Sequence, residues 1–258
     1  MIRALYVSAQ AMNTQLQSLD VVANNIANVN TTGFKGATVV TQSFPMHLMR
    51  SVGLPVGEVP IKENLVGQMT FGTTVSDVSI NFANGSLEMT SGDLDLALVG
   101  DGFFTIGVPL EGGGMNVMYT RAGSFAISPE SFLVNQSGYY VLNEAGAQIS
   151  IPSGPIEINQ NGDVIVNSEI VATLGVVSFE DNSVLRQHGY TLFTAIDGAV
   201  YTDFSGNVVQ GYLERSNVNI IREMVNMVNI SRKYEINSRL VGMHDTTLGQ
   251  AVNEIARN

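Results

Sequence analysis

Cysteine and tryptophan are absent from this 258-residue chain. Without cysteine there is no disulfide, no thiolate nucleophile and no thiolate metal ligand, and cysteine pairing says nothing of the redox compartment. Histidine is scarce: the three are His47, His188 and His244. None has a second His or a Glu at a ligand spacing, so solvated or packed histidine outweighs a ligand or a general base. No apolar run approaches the ~20 residues of a membrane span. Ser8, Gln10, Asn13 and Gln15 interrupt the apolar core that a secretory signal needs, so any export is expected without a cleaved signal of that type. Basic residues number 12 against 23 acidic, a formal net charge of −11. An acidic chain without a basic patch is a poor counterion for phosphate, which argues against nucleic acid and anionic membrane as partners. Charged residues make up 14% of the chain and apolar residues 45%, enough for a real core.

Glycine is missing before Gly33, and only Gly242 and Gly249 follow Gly211; the other 24 of 26 lie within 33–211. The ends and the middle therefore have different designs. Residues 1–35 place Ile2, Leu5, Ala9, Met12, Leu16, Leu19, Ala23 and Ile26 at alternating steps of three and four, a heptad seam. With no Gly or Pro to interrupt it, a helix of about 40 Å is allowed. Asn24, Asn25, Asn28 and Gly33 end it, since Asn and Gly tolerate left-handed turn conformations. A second register runs from Ile220 through Met224, Met227, Ser231, Tyr234, Ser238, Val241, Asp245, Leu248 and Val252 to Ile255. Ser216 and Asn217 are its candidate caps, and Asp245 reads as a register-setting polar residue in the seam. A seam this narrow stabilises little on a lone helix, so each helix calls for a helical partner.

Between them, residues 36–80 read as an extended connector with some strand at 38–41 and 75–80. Residues 81–212 alternate short apolar runs with turn signals such as Asp101-Gly102, Asn161-Gly162 and Ser205-Gly206. Strands are expected near 94–99, 103–108, 117–120, 125–127, 132–135, 139–142, 156–158, 164–166, 170–177 and 208–212. The expected architecture is α+β: terminal heptad helices (1–35 and 213–258) pairing as a coiled coil, and a central all-β domain (81–212) of sandwich or barrel-like form.

No constellation rises to an enzyme. Asp93, Asp95 and Asp101 lack the twelve-position calcium-loop pattern, and Asp93 and Asp95 are expected on one solvated strand face. Ser124 lacks the nucleophile elbow and any identifiable base; a hairpin with packed Tyr119 and Phe125 is the expected role of its stretch. No catalytic, metal or cofactor-binding residue is assigned.

Four stretches carry a resemblance: ANNIANVNTTGFK (23–35), DLDLALVGDGFF (93–104), YTRAGSF (119–125) and GYLERSNVN (211–219) followed by EMV (223–225) and YEIN (234–237). In this order they resemble the bacterial flagellar basal-body rod and hook family, through Asn24, Asn25, Asn28, Gly33, Phe34, Ser216 and Asn217 among others. The resemblance implies a structural subunit of the periplasmic rod, exported unfolded through the flagellar type III apparatus without signal cleavage. Its terminal helices would pack as an inner coiled-coil tube with copies of itself and with other rod and hook proteins, under a β outer layer. The surrounding ring proteins would be further neighbours, and the rod would carry torque from motor to hook. Ile2, Leu5, Met12, Leu16, Leu19, Ile26, Ile220, Met224, Met227, Tyr234, Val241, Leu248, Val252 and Ile255 would form the assembly interface. Residues 38–53 and 249–255 lean toward the family's proximal rod member, with a distal-rod or hook-type subunit as the alternative. A secreted enzyme or carbohydrate-binding β domain, or a capping adaptor, are the readings of other classes.

Overall fold

The computed structural model describes residues 2–43, 47–51, 64–69, 72–110, 114–196 and 198–255. It is an α+β chain that divides into two units. Unit 1 comprises residues 1–25, 37–80 and 220–258; unit 2 comprises 26–36 and 81–219.

Unit 1 holds most of helix α1 (Ile2–Ala27) and all of α2 (Ile220–Ile255). It also holds the strands β1 (Ala37–Ser43), β2 (His47–Ser51), β3 (Asn64–Met69) and β4 (Thr73–Ile80). Residues 36–80, expected as a connector with some strand, thus carry two antiparallel ribbons, β1 with β4 and β2 with β3. The first runs from Ala37 opposite Ile80 to Ser43 opposite Thr73, with an irregularity at Val40/Thr41. An isolated two-stranded ribbon is marginal in water, and α1 supplies support. The buried residues of α1 within this unit are Ser8, Thr14, Val22 and Asn25, three of them polar. Thr14 Oγ1 donates to the Thr73 carbonyl at 3.0 Å. The Asn25 amide pairs with Ala37 like a strand neighbour, Nδ2 donating to its carbonyl (2.8 Å) and Oδ1 accepting from its N–H (3.0 Å). Small polar side chains let a strand backbone come close and satisfy it, which an apolar-only reading of the seam passes over.

On α2 the half-buried line is Met227, Ile230, Tyr234, Asn237, Val241, His244, Leu248 and Ala251, again at alternating steps of three and four. It shares every second position with the expected seam and moves the others by one residue. Asp245 is exposed in the single chain, as Met224 and Val252 of the expected seam are. Asn237 lies on the half-buried line and donates to Gln15 Oε1 of α1 at 3.3 Å.

Unit 2 is built from β5 (Leu87–Met89), β6 (Leu96–Val99), β7 (Phe103–Pro109), β8 (Met115–Thr120), β9 (Phe125–Ile127), β10 (Leu133–Asn135), β11 (Tyr140–Val141), β12 (Ile156–Ile158), β13 (Asp163–Val166), β14 (Glu169–Thr173), β15 (Val176–Phe179), β16 (Leu185–His188), β17 (Leu192–Ala195), β18 (Tyr201–Asp203), β19 (Asn207–Gln210) and β20 (Tyr212–Glu214). Nine strands form one sheet, in the order β16-β17-β8-β7-β11-β10-β9, with β15 paired to β7 and β18 to β15. Its path ends on two different strands, so among the described residues the sheet is open, and of the two expected forms, sandwich or barrel-like, a closed barrel is not formed. The remaining strands pair as β12-β13-β14, β19-β6 and β20-β5. One core gathers Leu96, Leu98, Phe104, Ile106, Met118, Phe125, Leu133, Val141 and Val164 among others. Phe104 is fully buried and meets Phe125 edge-on, with ring centroids 5.1 Å apart. Phe104→Ala should therefore cost about 3–5 kcal/mol of unit 2 stability, to be read as an earlier urea midpoint of a probe in this unit.

A buried junction of the motif stretches as candidate functional site

Strand β20 ends at Glu214, whose carboxylate is buried in unit 2 with a relative exposure of 2%. Two cations share it. Lys35 Nζ lies 2.7 Å from Oε1 and Arg121 Nη1 lies 3.2 Å from Oε2. All three side chains are almost wholly removed from solvent. The backbone N–H of Gly85 also donates to Oε1, at 2.8 Å. Other donors of the cations reach carbonyls and an amide, while Arg121 Nε is buried without a hydrogen-bond partner. Lys35 Nζ donates to the Ala83 carbonyl (2.9 Å), and Arg121 to the carbonyls of Leu98 and Gly100 and to Asn84 Oδ1. The guanidinium also lies 5.5 Å from the centre of the Phe103 ring. Burial lowers the pKa of Lys35, the Glu214 charge and hydrogen bond oppose that, and Arg121 lowers it further. Burial likewise lowers the Arg121 pKa, against the pull of Glu214 and Asp101.

The surrounding backbone is tied in the same place. Gly33 N–H donates to the Glu214 carbonyl at 2.8 Å. Gly33 has φ +65°, and a Cβ there would fall 2.3 Å from the Ala122 nitrogen. Only glycine meets both demands. Phe34 beside it is buried. Asn217 accepts from Gly36 N–H (2.9 Å) and donates to the carbonyls of Asn81 (2.7 Å) and Ala83 (2.9 Å), while Asn81 N–H donates to the Gly36 carbonyl (2.8 Å). The chain leaves unit 2 after Gly36 and Asn219 and returns at Asn81. Within unit 2, Gly36, Asn81, Ala83 and Asn217 are thus joined in one hydrogen-bonded knot.

The motif residues fall as follows. Gly33, Phe34 and Asn217 belong to the junction. Asn28 is buried and accepts from Thr31 Oγ1 at 3.1 Å, Asn25 holds Ala37 in unit 1, and Asn24 is exposed. Ser216 Oγ accepts from Val218 N–H at 3.3 Å, whereas α2 begins at Ile220; Asn217 is a bridge between backbones and not the expected cap. The sequence reading missed Lys35, Arg121 and Glu214. Lys35 and Arg121 are each the one charge of their stretch, whereas Glu214 adjoins Arg215.

The assembly residues stand apart from the junction. Leu16, Ile220, Met224 and Val252 are exposed; Leu5, Met12, Leu19, Ile26, Met227, Tyr234, Val241 and Leu248 are half-buried. The side chains of Ile2 and Ile255 lie outside the described residues. Asp93 and Asp95 precede strand β6 instead of sharing a strand face. Ser124 Oγ accepts from Gln136 Nε2 at 2.8 Å. Tyr119 and Phe125 pack on Phe179 and Phe104, but their strands β8 and β9 are not paired with each other, so the stretch is not the expected hairpin. Among the described residues no group of three or more His, Asp or Glu is placed to hold a metal ion, and no helix is long and apolar enough to cross a membrane.

Three family models match the chain: "Flagella basal body rod protein" over residues 5–35, "Flagellar hook protein FlgE/F/G D1 domain" over 97–166, and "Flagellar basal body rod FlgEFG protein C-terminal" over 209–254. Among similar proteins, the flagellar basal-body rod protein FlgG of Buchnera aphidicola subsp. Schizaphis graminum is 33% identical, covering 96% of this chain and 98% of its own. FlgG of Borreliella burgdorferi is 34% identical over 98% of both chains. FlgF of Caulobacter vibrioides is 35% identical, over 90% of this chain and 89% of its own.

Removing the shared carboxylate would strand two buried cations. Glu214→Gln should cost about 3–5 kcal/mol. Glu88→Gln, which breaks the exposed pair with Arg215 at 3.4 Å, should cost no more than about 1 kcal/mol. Urea denaturation of both variants checks the contrast.

Proposed function

This chain belongs to the flagellar basal-body rod protein family, and from that premise we propose that it builds the rod through its two terminal helices. It is a structural rod subunit of the flagellar basal body and not an enzyme. In the basal body it assembles with other rod and hook proteins of its family. One observation carries the assembly reading. Of the twelve assembly residues whose side chains are described none is buried in the single chain, and four are exposed. Heptad faces left open in this way are completed by further helices. In this reading α1 and α2 pair as a coiled coil that copies of the chain and other axial subunits extend into a tube. Residues 36–80 serve as connector and 81–212 as cladding. The assembled shaft carries torque across the periplasm, its subunits reach it through the type III export apparatus without a cleaved signal, and the surrounding rings are neighbours. Relatives named FlgG and FlgF match at similar identity, so the stretches 38–53 and 249–255 carry our preference for the proximal position.

Leu16→Asp and Met224→Asp test the seam. Both side chains are about half exposed in the single chain, so monomer stability should change by no more than about 0.5 kcal/mol. A carboxylate trapped between helices costs several kcal/mol, so neither variant should appear in purified basal bodies, and motility should be lost. Incorporation of both at the parental level would refute the assignment.

A further inference from the structure

Charge is divided unequally between the two units. Residues 1–25, 37–80 and 220–258 hold eight acidic and eight basic residues, a net charge of zero. Residues 26–36 and 81–219 hold fifteen acidic and four basic residues, a net charge of −11. Two of those four, Lys35 and Arg121, are buried on Glu214. Arg215 faces Glu88, which leaves Arg186, whose Nη1 donates to the Ser183 carbonyl. Ten described carboxylates of unit 2 are exposed, spread over strands as separate as β5, β12, β14 and β18. The surface of unit 2 is therefore an acidic shell with almost no cation on it, while unit 1 carries no net charge and an exposed apolar line on α2 that includes Ile221, Val225, Val228, Ile236 and Met243.

We propose that this shell acts as an electrostatic brake on self-association, so that copies of the chain associate more tightly as ionic strength rises. The inference rests on the rod-subunit reading and adds to it the sign of its salt dependence. A 150-residue unit has a radius of gyration of about 15 Å, so two in contact have centres roughly 40 Å apart. The Debye length is about 30 Å at 0.01 M salt and about 8 Å at 0.15 M. Repulsion between two such shells acts across that separation in the first case and is screened out in the second. Coulomb's law in water, with net charges of −11 on each unit, then gives about a hundredfold rise in the association constant between the two conditions. An interface held by opposite charges has the opposite slope, because salt weakens it.

Sedimentation velocity of the full chain at neutral pH, from about 0.01 to about 0.15 M NaCl, reads the slope. The second arm is the variant E130Q/E144Q/E157Q/E169Q, which removes four exposed carboxylates of unit 2. It should associate at least about tenfold more tightly than the parent at low salt and show a flatter slope. General salting-out acts on both proteins alike, so only screening produces that difference. Association that falls with salt or is flat, a chain that stays monomeric throughout, or a variant that matches its parent would each overturn the proposal. Incorporation of the same parent into basal bodies in cells is scored separately: a chain that incorporates without a positive salt slope leaves the rod reading standing and removes only the brake.

Discussion

Glu214 is the point on which unit 2 depends. A single buried carboxylate holds an ammonium that lies 179 residues away in the chain and a guanidinium that lies 93 residues away. Such a group adds little net stability when complete, because desolvation offsets most of the attraction, but it is very costly when incomplete. Its effect is selective. An arrangement in which the Glu214 carboxylate fails to meet both Lys35 and Arg121 leaves buried charge without a partner. The two glycines at this place have the same logic. A Cβ on Gly33 would strike the backbone at Ala122, and one on Gly85 would fall 1.9 Å from the Arg215 carbonyl. Backbone contact this close is available only to these segments, so the ion cluster and the glycines select one pairing together.

The two units differ in completeness. Unit 2 has a continuous core with many side chains wholly out of solvent. In unit 1, by contrast, Val22 is the only large apolar side chain buried among the described residues. Two long helices and two two-stranded ribbons do not bury enough apolar surface alone to offset the chain entropy they lose. Unit 2 thus has a core of its own, and unit 1, among the described residues, does not. That difference is what the proposed assembly through the ends would use.

The helices were legible because their signal is local and periodic. So were strands such as 125–127 and 156–158, whose apolar residues sit between clear turns. Strands β16 and β17 were not, since LRQH and LFTA lack sustained alternation and a buried face shows only at Leu185, Leu192 and Phe193. The stretch expected as a single strand at 170–177 is two, β14 and β15, separated by Gly175, whose missing Cβ lets the Leu142 and Asn143 carbonyls approach. On α2 the expected register and the half-buried line of the single chain share their period and differ by one residue at every second position. Apolar content favours Met224 and Val252, whereas half-burial follows Ile230, Asn237 and His244. The junction was out of reach for a different reason. Its partners are far apart in the chain, and nothing local says which charge meets which.

The polar residues of α1 explain why composition alone misplaces its faces. Ser8, Thr14 and Asn25 are buried on a helix whose Leu16 and Tyr6 are exposed, the reverse of the usual amphipathic arrangement. A side chain that donates to a strand carbonyl is better placed against a ribbon than an apolar one, because the ribbon's outer edge presents unpaired backbone groups. Gln15, next to Thr14 in sequence, bonds Asn237 of α2, so neighbouring positions on α1 serve different neighbours within unit 1. The polar faces are then used inside the chain and apolar ones are left outside it. In water that arrangement is unfavourable for a solitary helix. It becomes favourable once other helices cover Leu16 and Tyr6, which is the condition a helical assembly supplies.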